Sequence, residues 1–287
     1  MRWLVVLVVL LGCSREEARP APARGPGSGS AAAPVTTPHR LVSLTPSATE
    51  VVAALGATSE LVGVDAYSLF PPEVAHLPKV GSFLTPNLEV ILGLEPTLVI
   101  VDDIHKPAAG ALRDAGLATV ECPIHSLPDV KQALRTVGGR LGRTAEAERV
   151  IEQIEAAIVA ATERRPAQRP RVLAVIDREA GGLGNLVAVG PGSWIDELLA
   201  IVGAENVLAA SGVRYPKISM EEVLRSRPDV ILDISFAARS GLGAWSGIEV
   251  PAVKTGRVVA LSEAYLTAPS PRVVEALQAL ATAIAPR

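Results

Sequence analysis

Aromatic residues are scarce in this 287-residue chain: three Trp, three Tyr and three Phe. Its cores must therefore be built from Val, Leu, Ile and Ala, and each aromatic position becomes worth locating. Two cysteines, Cys13 and Cys122, are too few for a disulfide framework, and Cys122 in the apolar ATVEC stretch reads as a buried thiol. The net charge is only −3 and the basic residues form no stripe, which argues against nucleic acid and against adhesion to anionic membranes. The four histidines, His39, His76, His105 and His125, are scattered among separate segments and read as surface-loop residues. Without HExxH, CxxC or a helical histidine pair, no metal site is legible in the spacing. No G-x-S-x-G elbow occurs either; Ser193 in GPGSW reads as a helix cap. GGLGN has neither a Walker lysine nor a dinucleotide pattern, and Asp102 and Asp103 fit a solvated turn as well as a cleft.

What the chain does have begins at its N-terminus. Arg2 precedes an apolar run, Trp3 to Leu11, that is too short to span a bilayer as a helix but fits the core of a secretory signal. The run ends in LLGC, a lipobox pattern that marks Cys13 for lipidation, with residues 1–13 as the signal segment. Residues 14–38, rich in Pro, Ala, Gly and Ser, read as a disordered tether.

Two stretches then repeat. FLTPNLEVILGLEPTLVIV (83–101) and YPKISMEEVLRSRPDVILD (215–233) superpose without a gap, pairing Phe83 with Tyr215, Glu89 with Glu221 and Pro96 with Pro228. Each reads as an aromatic loop, a cap (Asn87, Ser219), a short helix, a proline stop and an apolar strand. Upstream, EVVAALGA (50–57) is echoed by ELLAIVGA (197–204). The surrounding strand–helix alternation, with nearly continuous apolar strands, predicts α/β architecture: two Rossmann-like lobes with mostly parallel sheets and a cleft between them. The lobes span 39–142 and 169–287. Residues 143–168 join them through one long amphipathic helix that lacks Gly or Pro until Pro166.

Loops at the carboxyl ends of strands form the binding crevice of open α/β sheets. Tyr67, Phe83, Tyr215, Trp245 and Tyr265 fall in such loops and are the candidate ligand-binding residues; Phe70, beside two prolines, reads as core. Glu89 and Glu221, each in the first turn of a repeated helix, suit the helix dipole. Their recurrence in both copies also offers one acid per lobe for arginines on a partner.

RLVSLTPSATEVVAALG, VGVDAYSLFPPE, NLEVILGLEPTLVIV, GAENV, ISMEEVLRSRPDVIL and SPR (270–272) together resemble the periplasmic binding proteins of ABC importers for vitamin B12, iron–siderophores and haem. The resemblance covers residues 40–285 and is strongest to the cobalamin-binding branch, through AYSLFPP with Tyr67, Phe83 and Tyr215. It implies a lipid-anchored, non-enzymatic receptor that captures a corrinoid, with vitamin B12 foremost, and delivers it to an ABC importer. Glu89 and Glu221 match the family's two glutamates that dock on the permease dimer. No cofactor beyond the transported ligand is implied. Two departures stand out: Phe83 and Tyr215 occupy places where the cobalamin-binding proteins carry tryptophan, and the segment around Trp245 has no clear counterpart. Arg178, Arg214, Arg239 and Arg272 offer an alternative cleft for an anionic iron chelate, although Arg272 fits better as a structural residue in the first turn of the last helix. An envelope hydrolase is the rival of a different class, and the missing nucleophile and metal patterns argue against it.

Overall fold

The computed structural model describes residues 39–286; Cys13 and the segment 14–38 lie outside the described residues. The apolar run that opens the first lobe becomes β1 (Leu41–Ser43). Thr45, not Ser47, caps the next helix, α1 (Pro46–Ala54), accepting from the Ala48 amide at 3.1 Å. Pro46 fits the first turn, where a missing N–H leaves nothing unsatisfied. Glu50, within α1, pairs elsewhere.

The first lobe continues through β2 (Leu61–Val64), α2 (Leu88–Gly93), β3 (Leu98–Val101), α3 (Lys106–Asp114), β4 (Thr119–Glu121) and α4 (Leu127–Arg140). Its four strands are parallel, in the order β2-β1-β3-β4. Side chains alternate across each strand. Leu41, Leu98 and Ile100 therefore pack with α1 and α4, while Val42, Val99 and Val101 pack with α2 and α3. Burial on both faces is why these strands read as unbroken apolar runs.

The connecting helix α5 (Thr144–Glu163) has 20 residues, about 30 Å at the usual rise. The second lobe comprises β5 (Arg171–Asp177), β6 (Val187–Ala188), α6 (Trp194–Ile201), β7 (Glu205–Asn206), α7 (Met220–Ser226), β8 (Val230–Asp233), α8 (Pro251–Lys254), β9 (Val258–Ala260) and α9 (Val273–Ile284). Its sheet runs β6-β5-β8-β9, with β7 also on β5, and only β6 is antiparallel. Val172, Ala174, Val230 and Leu232 face α6 and α9; Leu173, Val175 and Ile231 face α7, α8 and Trp245. Ala147, Ile151 and Ile154 of α5 belong to one cluster with Leu134 of the first lobe and Leu198 and Leu277 of the second. The spine is thus part of a shared core.

The repeat is visible in detail. Asn87 accepts from the Val90 amide at 3.2 Å and Ser219 from the Glu222 amide at 3.3 Å, so both caps form where the sequence places them. The helices leave through left-handed residues at matched positions, Glu95 (φ 47°) and Arg227 (φ 43°), each just before its proline. A proline disfavours right-handed helix in the residue before it, so the exit is fixed in both copies. An arginine at the start of each lobe's first strand closes the helix end. Arg40 donates to the Leu94 and Glu95 carbonyls, and Arg171 to the Ser226 carbonyl.

Candidate functional site

Each sheet presents the carboxyl ends of its strands to the cleft, and a buried aspartate organises each end. After β2, Asp65 accepts from the Tyr67 amide at 2.9 Å and from the Ser68 hydroxyl, which also bonds Thr49 at 2.7 Å. Burial raises the Asp65 pKa, against the opposing pull of Ser68, the Tyr67 amide and Lys79. This turn projects Tyr67, which is 61% exposed, and Tyr67 meets Phe83 edge to face at 6.1 Å. After β8, Asp233 takes the Arg178 guanidinium at 2.7 Å, the Trp245 indole N–H at 2.9 Å and the Ser235 hydroxyl at 2.6 Å. Arg178 also donates to the Gly182 and Gly241 carbonyls at 3.0 Å, so this buried ion pair is well satisfied.

Trp245 is therefore not a cleft residue. It is 1% exposed, sits in the second lobe's core and spends its one donor on Asp233. The glycine-rich stretch SGLGAWSG (240–247) closes around this buried indole. Tyr215 is exposed at the second lobe's strand-end loop, and partial burial raises its phenol pKa. Tyr265 is half-buried, with the Arg272 guanidinium 5.2 Å from its ring. Phe70, expected in the core, is partly exposed and lies 3.9 Å under the same guanidinium. Arg272 makes a bidentate ion pair with Glu50 at 2.9 and 2.5 Å, tying the start of α9 to α1. Phe70, Glu50 and Arg272 border a cavity of about 1030 Å³ that also takes Leu61, Leu77 and Val150. Neither Tyr67, Phe83 nor Tyr215 lines it.

Phe236 escaped the sequence reading. It lies three residues past the end of β8, is 78% exposed and stacks with Arg239 at 5.0 Å. An aromatic right after the apolar VILDIS run was the available signal. Of the four arginines considered for an anionic ligand, Arg178 and Arg272 are bound to carboxylates; Arg239 stacks on Phe236, and Arg214 is exposed. Glu89 and Glu221 are exposed in the first turns of α2 and α7, and neither has an ion-pair partner among the described residues.

The histidines are not all surface residues. His105 is 2% exposed: its Nδ1 accepts from the Asp102 amide at 3.0 Å, which leaves Nε2–H to donate to the Phe83 carbonyl. His125 is half-exposed, with Nε2 3.0 Å from Asp103 and 3.5 Å from Asp102. Burial, and then the neighbouring Asp103, raise the Asp102 pKa, while hydrogen bonding with Asp102 and His125 holds Asp103 at about 2. Ser193 caps α6, accepting from the Asp196 amide, as the sequence suggests.

Two α/β lobes on a shared helical spine, with strand ends facing a common cleft, define a two-lobed solute receptor. The chain belongs to the periplasmic binding protein family, whose model matches residues 41–235. A vitamin B12-binding protein of Vibrio cholerae is 27% identical over 249 residues, covering 85% of this chain and 88% of the relative. Among solved structures, the periplasmic heme-binding protein RhuT from Roseiflexus sp. RS-1, in apo form, is 32% identical with a TM-score of 0.77, covering 86% of this chain and 98% of that one. The periplasmic vitamin B12-binding protein BtuF of Vibrio cholerae is 26% identical with a TM-score of 0.72, covering 86% and 96%. Among the described residues no helix is long and apolar enough to cross a membrane.

Proposed function

We propose that this receptor captures a corrinoid, foremost vitamin B12, between Tyr67 and Phe83 of one lobe and Tyr215 of the other, and hands it to an ABC importer. The observation that carries this reading is the imbalance of the cleft. Aromatic faces are exposed on both lobes, while two of the four candidate arginines are engaged by Asp233 and Glu50. A ring system with a largely neutral amide periphery suits aromatic walls with few free cations. An anionic ferric chelate asks for more unpaired guanidinium groups. The likeness to vitamin B12-binding relatives supports the same choice. Haem is the second reading, favoured by the 32% identical haem-binding structure; Arg214 and Arg239 would then receive the propionates.

Calorimetric titration with cobalamin, haem and a ferric siderophore tests the choice. Saturable 1:1 binding of cobalamin supports it; binding of haem or the siderophore with no cobalamin signal defeats it. Cys13 is the lipidation site in this reading, and Cys13→Ser releases the protein from the membrane fraction. Glu89 and Glu221 dock the permease: reversing both charges removes stimulation of the transporter ATPase while ligand affinity stays unchanged.

A further inference from the structure

The strand ends of the first lobe bring together a donor set that the cleft reading does not use. Asp102 and Asp103 follow β3 directly, and His125 precedes α4. One ligand atom from each lies within 4.8 Å of the others. Two of the separations, 3.0 and 3.5 Å from His125 Nε2, bracket the edge of a tetrahedron whose metal bonds are about 2.1 Å, which is roughly 3.4 Å. The donors are of mixed type, one imidazole nitrogen and two carboxylates, a combination that suits zinc-like ions.

Asp102 adds an independent indication. It is 5% exposed, yet its backbone donors, the Ile104 and Ile124 amides, both stand at 3.4 Å. A second carboxylate lies beside it, and His105 behind it has both ring nitrogens engaged, by the Asp102 amide and the Phe83 carbonyl. Two carboxylates this close repel when both carry charge, and a cation shared with the imidazole relieves that repulsion. The scaffold is nonetheless rigid. The Asp102 backbone amide is fixed by His105, and the His125 amide donates to Asp129 Oδ2 at 3.1 Å, beside the Ser126 cap of α4.

We propose that Asp102, Asp103 and His125 form a binding site for one divalent transition-metal ion of the zinc class, at the cleft-facing edge of the first lobe. Three protein ligands leave a fourth position for water or for an oxygen donor entering from the cleft. Through His105 the ion also steadies the Phe83 segment. The site stands whether or not the cleft ligand is a corrinoid.

The full chain, purified without an affinity tag and stripped with a chelator, is titrated with zinc chloride and, in parallel, with cobalt chloride. One zinc ion per chain is expected, with cobalt giving the intense visible bands of a tetrahedral nitrogen–oxygen site and zinc raising the melting temperature. Asp103→Asn and His125→Ala each weaken zinc by more than about 100-fold, beyond the roughly 10–100-fold that loss of an outer partner costs. His76→Ala leaves it unchanged. Both ligand variants alter residues on the surface, and their metal-free melting curves match the parent. Failure to bind one ion per chain, or zinc affinity in both ligand variants equal to that of the parent, overturns the proposal.

Discussion

Trp245 shows how a single residue separates structural from ligand-binding duty. Replacing it with Phe keeps most of the buried area but removes the indole donor to Asp233, a loss of about 1–3 kcal/mol when the acceptor stays buried. Denaturant unfolding of Trp245→Phe is expected to show that loss with ligand affinity nearly intact; the reverse pattern would return Trp245 to the cleft. For Phe83→Ala the expectation is opposite: affinity falls roughly tenfold, in line with the ~1 kcal/mol of an aromatic contact, and stability falls less than for a fully buried ring, since Phe83 is partly exposed. Cys122 offers a chemical check. Burial, with Asp102 and Asp129 nearby, pushes its thiol up to about 12, so thiolate is scarce at mildly alkaline pH. In a Cys13→Ser background, a thiol reagent should label nothing in the native protein and one group in denaturant.

Among elements, α2 and α7 carry the information of the repeat. Their caps, their left-handed exits and their arginine closures recur, which makes them scaffold. Their outer faces recur too. Leu92 and Leu224 are exposed one turn after Glu89 and Glu221, on the same side of each helix. An acid and a leucine repeated on two lobes suit a partner that presents the same surface twice. Leu92→Asp combined with Leu224→Asp should lower ATPase stimulation without affecting ligand binding, and normal stimulation would confine docking to the glutamates. The strand and helix periods of these elements were legible because each face is uniformly buried or exposed. The segment 236–246 was not, since its two short 3-10 turns have no period, and its shape follows from Asp233 gathering Arg178, Ser235 and Trp245.

At the scale of the molecule, the two lobes are joined by more than a linker. The core continuous through α5 and the Glu50–Arg272 pair both resist separation. Removing one partner of a buried ion pair strands the other, so Arg272→Ala should cost on the order of 3 kcal/mol in urea unfolding. Adding Glu50→Leu should recover much of it. A stiff spine also limits closure: solution scattering with and without ligand is expected to show nearly the same radius of gyration, and a large contraction would mean that α5 bends.

By itself the sequence determined the class of fold, the number of lobes, the repeated cap–helix–proline–strand unit and the family, because these rest on local periodicity, caps and proline stops that act over a few residues. The tertiary structure alone decided where the aromatics go, which arginines remain free, that His105 is buried, and that Asp102, Asp103 and His125 meet. Those outcomes depend on contacts between residues distant in the chain: 12 between Asp233 and Trp245, 22 between Asp103 and His125, and 222 between Glu50 and Arg272. No local pattern encodes such distances, since side-chain burial and charge pairing are settled only once the sheets are formed and the loops close over their ends.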